Sequence, residues 1–583
     1  MNSLIIRIFL IAILSVFIHC NPSDKGVQKP QIAINQLGYF PEGEKMAVVN
    51  FETDKFCIKS QSDDEIVFEG ELSEKKFWDL SGEWLKLADF SDFKRGGKYY
   101  VTAGDVNSYP FEISEDIYDG LFDAAFHTFY LARASTDLPE AYAGAYHRKG
   151  GHPDDSVKVY KLAASAERPE GTVISAPKGW YDAGDYNKYI VNSGITTYSL
   201  MALYESIPAF MQETAFNIPE KNNTVPDILD EVKWNLDWMF AMQDPHDGGV
   251  YHKLTSLKFA GFVMPAQAKS QRYVVQKSTA AALNFTAVFA QASRIFKNFD
   301  HEFPGLSGQY LAAARRSWKW AREHPRDYYE QAEEIQTGKY TDHDLSDEFA
   351  WAATELFITT GDESYYRKYN LAGLKVETQF WDSVGALGYI SLIHNRKNLP
   401  DFKDMKKIER RFLAYADTLC LQKEQMPYRI PEIAFKWGVH AVLVNNAMSL
   451  IVAYNLSGKD KYLDGALSCM DFILGRNPLN HSFVTGFGDH TSMNIHHRPS
   501  GADTVAAPFP GMLVGGPNMK ETKYDLGWEA YPSKLPAFMY LDVQGSWATN
   551  EVAINWNAPL TFVTGSLKYI TGQKPASKND SFD

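Results

Sequence analysis

Two aspartates three residues apart, Asp182 and Asp185, lie in the stretch Gly179-Trp180-Tyr181-Asp182-Ala183-Gly184-Asp185-Tyr186-Asn187-Lys188-Tyr189. Small residues between them let the backbone turn tightly, and aromatic residues crowd both sides. Carboxylates are costly to desolvate beside rings unless something uses them. At this spacing both can point into one small volume and hold a single water, which is the equipment of a general base. The same residues suit a turn whose Asp caps the following helix. They lack the alternating acids of an EF-hand loop. Taken alone, the stretch fits the capping turn and the catalytic pair equally well.

A second constellation tips the balance. In Tyr540-Leu541-Asp542-Val543-Gln544-Gly545-Ser546-Trp547-Ala548-Thr549-Asn550-Glu551-Val552-Ala553-Ile554-Asn555-Trp556-Asn557-Ala558-Pro559, the acidic Glu551 runs straight into apolar residues. A Glu in such surroundings tends to keep its proton, as a general acid must. The plainer reading is a Glu near a helix start, stabilised by the dipole. Between the two acidic sites lies Asn494-Ile495-His496-His497-Arg498-Pro499-Ser500. Adjacent His residues rarely chelate one ion and the neighbouring Arg would repel it, so this segment reads as donors for sugar hydroxyls or, more plainly, as a solvated polar loop.

These residues need elements to hold them. A chain of 583 residues exceeds one ordinary domain. Its aromatic content is high, with 13 Trp, 32 Tyr and 36 Phe, enough for a large core and for a cleft where flat ligands stack. The net charge of -14 disfavours nucleic acid and anionic surfaces and suits a neutral substrate. Four cysteines without zinc-like spacing argue against a disulfide framework and leave single buried thiols as the default.

Residues 1–19, with Arg7 ahead of the apolar run Ile8 to Ile18, have the form of an export signal too short to span a bilayer. Cys20 and the polar linker to residue 30 resemble a bacterial lipoprotein signal, with Cys20 as the candidate lipidated terminus and membrane attachment site. His19 and Phe17 depart from that pattern. From 31 to 114, about seven short alternating runs separated by turn signals predict a β-sandwich. From 115 to 575 the period becomes helical, with predicted helices near 117–134, 190–205, 225–243, 277–297, 308–324, 345–360, 404–417, 436–456, 460–474 and 557–571. The long stretches 140–180, 244–276 and 476–550 between them have the length of functional loops. A closed barrel of paired helices fits this pattern, followed by a polar tail over 576–583.

Asn35-Gln36-Leu37-Gly38-Tyr39 and Ala47-Val48-Val49 resemble the immunoglobulin-like module found ahead of some cellulase domains. The Asp-Ala-Gly-Asp turn, the His-His-Arg loop and the Asn-Glu-Val-Ala-Ile-Asn-Trp-Asn-Ala-Pro block resemble glycoside hydrolase family 9, the inverting cellulases, in that family's order. Asp247-Gly248-Gly249-Val250-Tyr251-His252-Lys253, Trp351-Ala352-Ala353-Thr354-Glu355-Leu356 and Leu474-Gly475-Arg476-Asn477-Pro478 match as well. The resemblance implies an (α/α)6 barrel of six helix pairs. It implies Asp185 as base, Asp182 as its partner in holding the water, and Glu551 as acid, with the base and the acid roughly 6.5–9.5 Å apart. It further implies His496 and Arg498 at the sugar beside the scissile bond. Trp437 and Trp556 match the stacking rings, and Tyr540 stands as a further substrate-binding candidate. The implied function is an endo-β-1,4-glucanase acting on a β-glucan, with an endo-xyloglucanase, an exo-acting β-glycosidase or a glycan-binding lipoprotein as alternatives. No cofactor is required. Structural calcium is common in the family, with ligands that sequence does not place. The zinc site of many relatives is disfavoured because His147-Arg148-Lys149-Gly150-Gly151-His152 has no accompanying Cys. Val439-His440 after Trp437-Gly438, and Tyr186-Asn187-Lys188-Tyr189 in the turn, depart from the usual pattern and keep a substituted or mixed-linkage glucan open.

Overall fold

A computed structural model describes residues 29–431 and 433–573. The export signal, Cys20 and the 576–583 tail lie outside the described residues. The chain first forms ten short strands: β1 (Ile32–Ala33), β2 (Gly38–Tyr39), β3 (Met46–Val49), β4 (Lys55–Ser60), β5 (Ile66–Glu71), β6 (Lys76–Trp78), β7 (Glu83–Asp89), β8 (Gly97–Ala103), β9 (Val106–Asn107) and β10 (Phe111–Ile113). Alternation sets their faces: in β8, Tyr99, Val101 and Ala103 point into the sandwich core while their neighbours do not. One sheet runs β1-β3-β7-β6; the other runs β2-β10-β8-β4-β5, with β9 beside β8.

One face of the four-stranded sheet packs on the helical domain, while Phe77 and Trp84 of its β6–β7 edge stay exposed. Ala33, Val48, Trp78 and Leu85 join the core of the helical domain, and Trp78 packs on Tyr428 and Phe435 at ring distances of 5.0 and 6.2 Å. Two of the sequence motifs meet at this seam. Asn35 Nδ2 donates to Asp471 Oδ1 at 2.8 Å, and the Gln36 amide donates to Leu474 O at 2.9 Å. Gln36 also binds Asn480 O (2.9 Å) and the His490 amide (2.8 Å) through its side chain. Arg476 answers Asp471 from the other side at 3.0 Å, so a fully buried carboxylate has both a charged and a neutral partner. The module braces the barrel through these contacts.

Among the described residues, twelve helices build the helical domain, with four other short ones in its connections: α1 (Asp119–Leu131), α2 (Ile190–Ser206), α3 (Asp227–Ala241), α4 (Thr279–Phe296), α5 (Leu306–Glu323), α6 (Ser346–Thr360), α7 (Ser364–Tyr369), α8 (Gly385–His394), α9 (Met405–Gln425), α10 (Val439–Ser457), α11 (Asp460–Ile473) and α12 (Ile554–Gln573). The even-numbered helices form a closed inner ring in which each packs on the next and α12 returns to α2; the odd-numbered helices pack outside it. This is the (α/α)6 barrel. Composition explains the sorting. Inner helices are buried around most of their circumference and mix apolar residues with small or amide side chains, as helices enclosed by others can. Every residue of α4 except Arg294 is buried. Arg294 reaches Glu205 of α2 (2.6 Å) and Glu355 of α6 (2.5 Å), so one guanidinium ties three inner helices. Helix α10 is long and apolar enough to cross a membrane, but here its apolar surface is buried in the ring. Outer α5 instead buries only part of its surface, through Tyr310, Ala313, Ala314, Ser317, Trp318, Trp320 and Ala321.

The helical region holds one feature that its sequence does not suggest. Strands β11 (Val157–Val159), β12 (Val173–Ile174), β13 (Lys188–Tyr189), β14 (Lys253–Thr255) and β15 (Tyr273–Val274) form a small sheet ordered β12-β11-β15-β14-β13. Runs of two or three residues leave no alternation to detect. The expectation of uniformly buried thiols is also corrected. Cys469 is buried, but Cys57 and Cys420 are only half-buried; all three are free.

Candidate active site

Strand β13 begins three residues after Asp185, so the small sheet anchors the acidic turn directly. The turn's own polar groups are occupied on all sides. The Asp182 amide donates to Asn187 O (3.1 Å), and the Asp182 carbonyl accepts from Ile554 N (2.9 Å) at the start of α12. Arg272 Nη1 binds Tyr186 O at 2.8 Å, and Arg498 Nη1 binds Gly184 O at 2.6 Å. A backbone so held presents its carboxylates without freedom to rearrange.

Asp185 Oδ2 accepts from Asn187 Nδ2 (2.8 Å) and the Tyr189 hydroxyl (3.0 Å); Oδ1 accepts only from the Asn187 amide (3.1 Å). Asp182 receives Asn192 Nδ2 on Oδ1 (2.6 Å) and the Tyr340 hydroxyl on Oδ2 (2.8 Å). Burial, with the Asp185 charge second, pushes the Asp182 pKa up to about 8. The sign of the linkage follows: the folded state binds this proton more tightly than the unfolded chain, so the associated stability is present below the ordinary carboxylate pKa and is lost as pH rises toward 8. Asp182→Asn, which keeps the shape and discards the charge, is therefore expected to raise Tm at pH 7–8, with a smaller difference at pH 4. Calorimetry at the two pH values checks it, and a Tm lowered at pH 8 would refute it.

Glu551 enters this volume from the opposite strand of chain. Its backbone pairs with His496, and Gly184 is the point of contact. A Cβ at Gly184 would lie 2.2 Å from His496 O and 3.1 Å from Glu551 Oε1, so only glycine lets the two segments approach. Burial, then the charge of Asp185, hold the Glu551 carboxyl well above the usual carboxylate range, while Arg498 and Asp182 act in opposite directions on it. The arrangement thus brings together Glu551 and Asp182, both with raised carboxyl pKa values, and Asp185, hydrogen-bonded and with one oxygen open to a further partner.

The remaining expected residues divide. His496 Nδ1 donates to Gln544 O (2.7 Å), and burial lowers the pKa of the ring. Arg498 also binds Ala260 O (2.7 Å) and lies over Phe259 and Phe262 at 5.2 and 5.5 Å, so much of its bonding capacity goes into clamping the turn. Trp437 is exposed and leans on Trp547 at 5.0 Å. Trp556 is nearly buried, its ring against Gly438 and Gly515. Tyr540 requires a correction. Its ring is buried against His481 and Phe483 and its hydroxyl is shared by Ser492 and Asn550 at 2.7 Å each, so it supports the Glu551 loop and offers nothing to a sugar.

The sequence model of glycosyl hydrolase family 9 matches residues 118–564, and that of the cellulase N-terminal Ig-like domain matches 27–108. The chain is a member of glycosyl hydrolase family 9. A xyloglucan-specific endo-β-1,4-glucanase of Bacteroides ovatus is 42% identical over 581 residues, covering 96% of this chain and 97% of the relative. Endoglucanase D of Acetivibrio thermocellus is 33% identical over 95% of this chain and 83% of its own. A solved family 9 structure from Bacteroides ovatus superimposes with a TM-score of 0.85 at 40% identity, covering 93% and 99% of the two chains. A thermostable endoglucanase from Alicyclobacillus acidocaldarius does so with 0.83 at 30%, covering 92% and 99%.

The family 9 site of this chain contains groups the sequence did not mark. Tyr340 is the chief one. It comes from the 325–345 connection, where no motif stands out, yet its hydroxyl is on Asp182. Its φ of 48° is in the left-handed region, which costs a non-glycine residue about 1–3 kcal/mol and persists only where surroundings enforce it. Tyr189 (4.8 Å) and Trp381 (5.2 Å) pack edge-on to its ring. A few residues further on, both Glu348 carboxylate oxygens and Asp342 Oδ2 are buried without a hydrogen-bond donor, and burial, then the Asp347 and Asp342 carboxyls, hold the Glu348 carboxyl well above the usual carboxylate range. Asp347 Oδ2 accepts from the Val384 (2.6 Å) and Gly385 (3.1 Å) amides, so the oxygens without a donor are those of Glu348 and one of Asp342; oxygens of that kind suit a hard divalent cation.

Proposed function

We propose that this enzyme is an inverting endo-β-1,4-glucanase with xyloglucan as its substrate. The observation that supports the chemistry best is the meeting of Glu551 with the Asp182–Asp185 turn at Gly184. In this reading Asp185 takes a proton from water as the water's oxygen attacks the anomeric carbon. Asp182, held by Tyr340 and Asn192, orients that water. Glu551 delivers its proton to the departing glycosidic oxygen, and exchange with solvent after product release resets both carboxyls. The xyloglucan assignment draws on the specificity named for the Bacteroides ovatus relative. Viscosity and chromatography on xyloglucan, carboxymethyl-cellulose and mixed-linkage glucan test it. A rapid viscosity fall with mixed oligomers, fastest on xyloglucan, is expected. Monosaccharide or disaccharide release at constant viscosity would replace it with an exo-acting enzyme, and no turnover would leave a glycan-binding protein.

Glu348 and Asp342 would hold a structural calcium, which would supply charge neutralisation for their unpartnered buried oxygens. Dialysis against chelator is then expected to lower Tm by several degrees, corresponding to about 3 kcal/mol at a hundredfold excess of ion over Kd. Calcium should restore it, and a Tm indifferent to both treatments would remove the site.

A further inference from the structure

The His252-Lys253 pair of the Asp-Gly-Gly-Val-Tyr-His-Lys motif has no part in the chemistry above, yet both side chains are buried beside the site. Lys253 Nζ donates to Gln331 Oε1 (2.7 Å), Thr337 Oγ1 (2.9 Å) and Gly338 O (2.5 Å). Three acceptors match the three protons of an ammonium, although burial, opposed chiefly by the Asp185 charge, pulls its pKa down to about 7. Among the described residues no carboxylate lies within ion-pair reach of it. His252 Nε2 donates to Lys339 O (2.8 Å), with the ring stacked on Tyr329 at 4.2 Å. His252 Nδ1 pairs with the Ser278 hydroxyl (2.8 Å), and every acceptor of Lys253 Nζ and of His252 Nε2 belongs to the segment 331–339 that leads into Tyr340. Strand pairing closes the circuit: Lys253 is opposite Tyr189, whose hydroxyl donates to Asp185 and accepts from the Gly338 amide (3.1 Å).

We propose that Lys253, aided by His252, is a positioning residue that fixes the 337–340 segment so that the left-handed Tyr340 delivers its hydroxyl to Asp182. The proposal rests on the reading of Asp182, Asp185 and Glu551 given above. A buried lysine bound to three neutral oxygens of one loop is a costly way to fill space, and the loop it grips carries a strained residue that needs external enforcement. One strand, β14, thereby sets both halves of the water site: Asp185 through Tyr189, and Asp182 through Tyr340.

A double-mutant cycle on the purified full chain, with the glucan the wild type cleaves, tests this. Lys253→Met is expected to lower kcat by roughly 30-fold or more, since small misplacements of reacting groups cost up to about 100-fold, with KM changed less than about 2-fold. In a Tyr340→Phe background the same substitution should cost less than about 3-fold more, because both changes remove one function. Losses that multiply independently, or a Lys253→Met kcat within about 3-fold of wild type, would overturn the proposal. If circular dichroism shows Lys253→Met unfolded, Thr337→Val, which removes one acceptor, carries the cycle with the same two outcomes. Glu551→Gln and Asp185→Asn are run alongside. If they stay active, the reading of the site falls and the proposal with it; if they are inactive while Lys253→Met is silent, the positioning role alone is lost.

Discussion

Glu551→Gln is expected to reduce kcat on an unactivated glucan by about 1000-fold or more, within the range general acids contribute, with little change in KM or Tm. Glutamine preserves the shape and the approach to Gly184 but has no proton to give. The decisive comparison is with a dinitrophenyl cello-oligosaccharide, whose leaving group departs without protonation. There the loss should shrink to about 10-fold or less. The pH profile should change in parallel. The acid works only while protonated, so wild-type activity is present below the raised Glu551 pKa and is lost as pH rises through it. That alkaline limb should vanish in the variant when the dinitrophenyl substrate is used. Equal losses on both substrates, or an alkaline limb that survives, would show that Glu551 is not the acid.

Asp185→Asn should give the complementary pattern. Its carboxylate has one oxygen bound by Asn187 and Tyr189 and the other open apart from a backbone amide, the arrangement of a fixed base. An amide there can keep part of the bonding but cannot take a proton from water. The expected loss in kcat is about 1000-fold or more on both the glucan and the dinitrophenyl substrate, because attack by water is needed in either case. Proton NMR of wild-type products should show the α-anomer appearing first, as a single displacement requires. A first-formed β-anomer, or rescue of Asp185→Asn by the activated leaving group, would reassign the residue.

Much of this was legible in the chain because long elements carry redundant signals. Helices of fifteen or more residues repeat their apolar pattern several times, and the acidic turn and the Glu551 block are contiguous. Gly184 illustrates the limit. Its place between two aspartates suggests a tight turn, but the reason for glycine is a carbonyl and a carboxyl arriving from residues 496 and 551, which no local pattern contains. Tyr340 illustrates it further: a tyrosine in an unpatterned connection, with a conformation that only its tertiary neighbours enforce. The small sheet escapes the sequence pattern because its strands are too short to alternate, and adjacency to the Glu551 block does not tell which way the Tyr540 ring faces.

The seam between Asn35-Gln36 and the segment 471–490 has a consequence for how the protein comes into being. Its bonds join residues 436 to 454 positions apart in sequence. The inner ring likewise closes only when α12, the last helix, docks on α2. A chain emerging from the ribosome makes the brace first and its anchorage almost last, so the N-terminal module must wait with an apolar sheet face uncovered until nearly the whole polypeptide exists. Non-local closure of this kind slows folding and prolongs exposure of sticky surface. Truncation within α12 should therefore yield aggregates rather than a smaller enzyme, and the module is not a detachable part that could be moved to another scaffold.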